Sequence, residues 1–220
     1  MKAVLFDLGD TLVKVVGLVE VYHRILSAHG MHHTREEITR AHEAAGRLFG
    51  FELMKTMSDE YWIKRNNAVL EKLGTYGRED LAREIAGNWW DYADVALYSD
   101  AKETLARLKQ RGIKIGIITN GLQTDFDKIM AKAKLDPALF DVAVTVSTIN
   151  RMKPEREIFQ YALDVLKVAA NETLFIGDTV EYDYEGAKNA GLKALLIDRQ
   201  DKINGDVEKI RDLREILPLF

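Results

Sequence analysis

The apolar run Ala3, Val4, Leu5, Phe6 ends in Asp7 and a polar turn at Gly9, Asp10 and Thr11, and no comparable strand pattern returns until Ile113. A short apolar run closed by a Gly/Asp turn reads as a buried strand. A carboxylate at its end then lies at the rim of the sheet, where open α/β sheets take their ligands. Between Val15 and Val95 the apolar residues recur with helical period instead. Val19, Tyr22, Ile25 and Leu26 share one face, and Ile38, Ala41, Ala45, Leu48 and Phe49 share another after a capping box from Thr34 to Glu37. Ser58 opens a third helix that stops at Gly74, and a fourth runs from about Arg78 to Tyr92 with Trp89 and Trp90 in it. Four helices are too many for one crossover connection. Residues 15–95 are therefore expected to form a separate helical unit inserted into a domain built from 1–14 and 96–220.

After that insert the chain alternates. Ser99 is expected to cap a helix from Ala101 to Gln110, and Ile113 to Ile118 is a strand delivering Thr119, Asn120 and Gly121. Asp125 to Lys134 reads as helix, Val142 to Val146 as strand, and Pro154 as the first residue of a helix to Leu166. The residue before a proline is pushed to extended geometry, so Lys153 belongs to a loop. Leu174 to Ile176 is a strand delivering Gly177 and Asp178. A short helix to Gly191, a strand Ala194 to Ile197 and a helix near Asp212 to Leu217 complete the chain. Regular strand–helix succession predicts an α/β fold, a Rossmann-like parallel sheet with helices on both faces and an inserted α-helical unit.

Composition narrows the function. With 31 basic and 35 acidic residues the net charge is -4, which gives no electrostatic footprint for nucleic acid. No apolar run approaches a membrane span, and Met1 meets the first strand without a leader segment, so a cytoplasmic protein is expected. The absence of cysteine removes thiol nucleophiles and thiolate metal sites. The five histidines, all between His23 and His42, share no ligand spacing. What remains is oxygen and lysine chemistry. Asp7, Thr119 and Asp178 all end strands at one edge, Lys153 arrives from a loop at the same edge, and Asp183 follows Asp178 in GDTVEYD. Three carboxylates, a lysine and a Thr-Asn-Gly turn suit a phosphoryl group handled with Mg2+, which takes hard oxygen ligands.

The stretches DLGDTL, IITNG, KPEREIF and IGDTVEYD stand in the order of the four motifs of the haloacid dehalogenase superfamily, and the chain resembles its phosphatase-like members over nearly its whole length. The helical insert resembles their C1-type cap. The resemblance implies Asp7 as nucleophile, Thr119 as phosphate-binding residue, Lys153 as the residue that stabilises the intermediate, and Asp178 as the principal acidic Mg2+ ligand. Asp183 is implied as a second acidic residue of the metal site, and Asp7 and the Gly9 carbonyl complete the implied metal set. Asn120 and Gly121, beside Thr119, are expected to contact the substrate, a small and phosphorylated metabolite. One position departs from the pattern. Phosphatases of the superfamily carry a second aspartate two residues after the nucleophile as general acid and base, and here that residue is Gly9. Asp10 is the neighbouring carboxylate that could replace it. A 2-haloacid dehalogenase, whose leaving halide needs no proton, and a weakly catalytic phosphate-binding protein stay open as alternatives.

Overall fold

A computed structural model describes residues 1–49 and 58–220. Its main sheet has six strands, β1 (Ala3–Phe6), β4 (Lys114–Ile118), β5 (Val142–Val144), β6 (Thr173–Gly177), β7 (Lys193–Ile197) and β8 (Lys209–Ile210), in the order β5-β4-β1-β6-β7-β8. Each strand is parallel to its neighbours. β2 (Val13–Val15) and β3 (Val95–Leu97) form a two-stranded sheet of their own, where the chain leaves for the insert and returns. These two strands and β8 are too short to show in the apolar pattern.

β1 is central because all four of its residues are apolar and fully buried, as a strand covered on both faces must be. Its register, Phe6 opposite Ile117 on one side and Ile176 on the other, brings the carboxyl ends of β1, β4 and β6 level. The strand order reverses between β1 and β6, which makes their carboxyl edge a topological switch point. The core on one face includes Phe159 and Phe175, edge to face at 5.2 Å, with Leu163, Leu166 and Leu196. Burying each such side chain contributes roughly 1.5–3 kcal/mol.

The chain divides into two compact units, Met1–Lys14 with Val95–Phe220, and Val15–Asp94. The second holds α1 (Leu18–Ala28), α2 (Arg35–Gly46), α3 (Asp59–Lys72) and α4 (Glu79–Tyr92). Thr34 and Glu37 form the expected capping box of α2, and the Ser58 hydroxyl caps α3 by accepting from Tyr61 N. Leu48 departs from expectation. α2 ends at Gly46, so the helical period no longer governs Leu48, which is 63% exposed. Inside the unit the Tyr22 hydroxyl donates to Asn66 Oδ1 at 2.6 Å and Asn66 Nδ2 donates to the Ala82 carbonyl at 3.2 Å, so one polar chain ties α1, α3 and α4 together. No helix among the described residues is long and apolar enough to cross a membrane.

His42, half-buried on α2, accepts from the Arg65 guanidinium at 2.8 Å. Burial first, then the Arg65 charge, pushes its pKa down to about 4. The unfolded chain binds the proton near pH 6.5, so stability present above that value is lost as the pH falls towards 4. His42→Gln keeps an acceptor without titrating. The variant should flatten the pH dependence between 6.5 and 4 by on the order of 1 kcal/mol, read as denaturant melts at pH 7 and pH 4.5.

Four local readings need correction in the sheet-bearing unit. The helix α5 (Ser99–Gln110) is not capped by Ser99; it starts after Tyr98, and Asp100 accepts from Ala101 N at 2.9 Å within its first turn. β5 stops at Val144, because Thr145 and Thr148 form a capping box that turns Val146–Ile149 into a short helix. Pro154 follows a cis peptide bond and precedes the helix Arg156–Leu166 by two residues instead of opening it. The C-terminal segment Leu213–Leu219 is a 3-10 helix capped by Asp212.

Candidate active site

β1 and β6 carry Asp7 and Asp178 at their carboxyl ends, and β4 carries Thr119, Asn120 and Gly121. Asp7 continues the ladder by donating its N–H to the Ile176 carbonyl at 2.8 Å, and Thr119 does the same to Val144 at 2.9 Å. Both residues are buried at the rim. Lys153, from the loop before Pro154, is only 2% exposed, and its Nζ donates to Asp7 Oδ1 at 2.6 Å and to Asp183 Oδ1 at 2.6 Å. One ammonium thus bridges the end of the central strand to the segment after β6.

Asp183 is placed by a feature that reads in sequence only as a short helix. Residues Val180–Glu185 form a π-helical turn, a wider winding often found at functional sites. Its second oxygen accepts from the Thr179 hydroxyl at 2.6 Å and from Thr179 N at 3.0 Å. The sequence pattern does not single out Thr179. An Asx-type partner four residues ahead of an aspartate is the signal that could have found it.

Gly177 makes room for that carboxylate, since a Cβ there would lie 2.2 Å from Asp183 Cγ. Gly177→Ala should therefore displace Asp183, cost about 1–3 kcal/mol in urea unfolding and impair turnover well beyond what the stability loss explains.

The electrostatics are those of crowded negative charge. Burial pushes the Asp7 carboxyl up to about 6 against the attraction of Lys153, with Asp183 adding to the rise. Burial also raises Asp178 to about 7, helped by the charges of Asp7, Asp183 and Asp10. Burial alone would discharge Lys153, but Asp183 and Asp7 outweigh it and hold the ammonium charged far above its ordinary range. Asp7, Asp178 and Asp183 each present a carboxylate oxygen within 4.8 Å of the others'. Three carboxylates around one ammonium leave a negative excess that a hard divalent cation would offset.

The remaining expected residues fall as follows. Thr119 Oγ1 accepts from Gly121 N at 3.3 Å, so hydroxyl and backbone amide sit side by side at the end of β4. The side-chain amide of Asn120 is engaged at both ends by the backbone of Lys153. The Gly9 carbonyl accepts from Thr11 N at 2.6 Å and keeps one lone pair. Gly9 is outside the left-handed region and a Cβ built on it meets nothing within 4 Å; the left-handed residue is Asp10, with φ 51°.

A parallel α/β sheet with a lysine-bridged acidic centre at its switch point puts the candidate site where such sheets take their ligands. Residues 1–191 match the haloacid dehalogenase-like hydrolases, and the chain belongs to that family. It is 28% identical over 208 residues to the glyceraldehyde 3-phosphate phosphatase of Methanocaldococcus jannaschii, covering 87% of this chain and 82% of that one. The pyrophosphatase PpaX of Bacillus cereus is 29% identical over 202 residues, covering 90% and 83%. Among solved structures, a HAD phosphatase from Thermococcus onnurineus is 26% identical with a TM-score of 0.67 over 100% of this chain and 97% of its own. The L-2-haloacid dehalogenase of Xanthobacter autotrophicus shares the fold, at 22% identity and a TM-score of 0.74 over 100% and 98%.

Proposed function

We propose that the protein is a Mg2+-dependent phosphatase acting on a small phosphorylated metabolite through a phosphoryl group carried on Asp7. The observation that carries this reading is the Lys153 bridge, 2.6 Å to Asp7 and 2.6 Å to Asp183, at the strand edge beside a third carboxylate. The names of the two relatives above support it.

In the first step an Asp7 carboxylate oxygen attacks phosphorus, the bond to the leaving oxygen breaks, and its electron pair departs with the leaving group. In the second, water attacks the acyl phosphate, releasing phosphate and restoring the carboxylate. Lys153 keeps its charge throughout and, with the Thr119 hydroxyl, meets the negative phosphoryl oxygens. Asp7, Asp178 and the free lone pair of the Gly9 carbonyl would hold Mg2+, with Asp183 behind them. Mg2+ bound there supplies positive charge to the transferring phosphoryl and offsets the crowded carboxylates. We read the helical unit 15–94 as the cap that the resemblance to the family implies.

One observation favours a second reading. Gly9 supplies no acid, and a 2-haloacid dehalogenase needs none, because halide leaves unprotonated. The acidic centre weighs against it, since displacing halide with Asp7 gives no role to the other two clustered carboxylates, Asp178 and Asp183.

The test is a phosphate-release screen over metabolite phosphates with Mg2+ and with EDTA, run beside 2-chloropropionate. Mg2+-dependent phosphate release is the expected result. Chloride release undiminished in EDTA, with no phosphate from any ester, would overturn the proposal in favour of the dehalogenase.

A further inference from the structure

Lys153 has no helix or strand to hold it, yet its ammonium reaches two carboxylates at 2.6 Å each. It lies in the loop before the helix Arg156–Leu166, and the following Pro154 offers no N–H for a turn. Something must fix the backbone from which so long a side chain is aimed. A lysine on an unfixed loop samples many rotamers, and ordering so long a side chain carries a large entropy cost.

Asn120, 33 residues earlier in sequence, supplies the fixation. Its Oδ1 accepts from Lys153 N at 2.7 Å and its Nδ2 donates to Lys153 O at 3.0 Å. These partners also settle which end of the amide is oxygen, because only that orientation satisfies both groups. A single planar amide therefore pins both polar groups of one peptide residue, which fixes where Lys153 Cα sits and how its side chain leaves the chain. Because Asn120 follows Thr119 directly at the end of β4, the strand end that presents the hydroxyl also sets the lysine. The series runs from β4 through Asn120 to Lys153, then to Asp7 and Asp183, and from Asp183 to Thr179.

We infer that Asn120 is a positioning residue for Lys153, acting on its backbone, and not a substrate contact. The inference rests on the phosphatase reading for its kinetic arm only. A substrate contact is expected to bind the ground state, so its loss raises KM, whereas a misplaced lysine weakens charge stabilisation as the phosphoryl transfers and lowers kcat.

The experiment compares wild type with Asn120→Ala and Asn120→Asp. Asn120→Asp retains the acceptor for Lys153 N–H and loses the donor to Lys153 O. Two readouts are taken: kcat and KM on an aryl phosphate, and reductive methylation of the folded protein with peptide mapping of Lys153. The buried wild-type ammonium should resist methylation. Asn120→Ala should lower kcat by at least about 10-fold while KM stays within threefold, and should make Lys153 label readily; Asn120→Asp should fall between. If Asn120→Ala does not fold, the intermediate behaviour of Asn120→Asp decides the matter. An increase of about 10-fold or more in KM, with kcat unchanged and Lys153 still protected, would overturn the inference. So would variants that match wild type in both readouts. If the wild-type protein hydrolyses no ester, the phosphatase reading fails and the labelling arm still decides the clamp.

Discussion

Asp7→Asn should leave a folded protein with turnover reduced by at least about 10³-fold, because the amide has no charged oxygen with which to attack phosphorus. The fold should survive for a local reason. Asparagine has the shape of aspartate, the backbone bond from residue 7 to the Ile176 carbonyl is untouched, and Lys153 keeps its ion pair with Asp183. Far-ultraviolet circular dichroism and a melting curve check the first half of the expectation. For the second half, kcat is measured with Mg2+ on an aryl phosphate, beside fluoroberyllate capture followed by intact mass. The wild type should form the adduct and the variant should not. Wild-type turnover in Asp7→Asn would remove the carboxylate from the chemistry altogether.

The second large effect concerns the residue two places further on. Expelling an alkoxide from phosphorus needs a proton in the transition state, and a positioned general acid contributes on the order of 10²–10⁴ in rate. Gly9 supplies none, so kcat/KM should be far higher for aryl or acyl phosphates than for alkyl phosphates. Gly9→Asp should raise the alkyl rates by about 10–100-fold and leave the aryl rates within about threefold, the smaller figure allowing for an acid placed without evolved support. The backbone permits the change, because a side chain at residue 9 enters open space in an ordinary conformation. Asp10 is a different case. It is held left-handed at φ 51°, a region that Asn tolerates equally, so Asp10→Asn should be nearly silent if Asp10 only makes the turn. Similar wild-type rates on both ester classes, with Gly9→Asp improving neither, would show that the protein has an acid elsewhere.

Much of the architecture is readable because two kinds of signal agree along the chain. Apolar runs ending in Asp7, Thr119 and Asp178 mark three strands whose carboxyl ends meet, and the capping residues Thr34 and Ser58 locate helix starts. The readings that miss have one of two causes, a partner distant in sequence or a competing local bond. Ser99 has the right chemistry for a cap, but the helix begins one residue earlier. There Asp100 is held by its own following amide, by Leu213 N at 2.8 Å and by Arg199. Val146 looks like the end of a strand until Thr145 and Thr148 bond each other's backbones.

In the candidate site, the sequence points to Asp7, Lys153 and Asp183, and these three meet at hydrogen-bond distance. It does not point to Thr179 or to the fork between Asn120 and Lys153. A threonine or an asparagine in a turn has many possible partners, and only the fold selects one.

The placement of β1 at the middle of the sheet has a consequence for how the protein is made. Its partners are residues 114–117 and 173–176, so β1 leaves the ribosome well before either flanking strand and waits for both. Such long-range parallel pairing is intrinsically slow, since loop closure precedes any reward. Until β6 emerges, the apolar segment that ends in Asp7 has an open edge, and an unpaired apolar edge is prone to aggregate. Asp7 leaves the ribosome ahead of both β6 and Lys153, so it gains its strand partner and its ion pair only after those segments have followed.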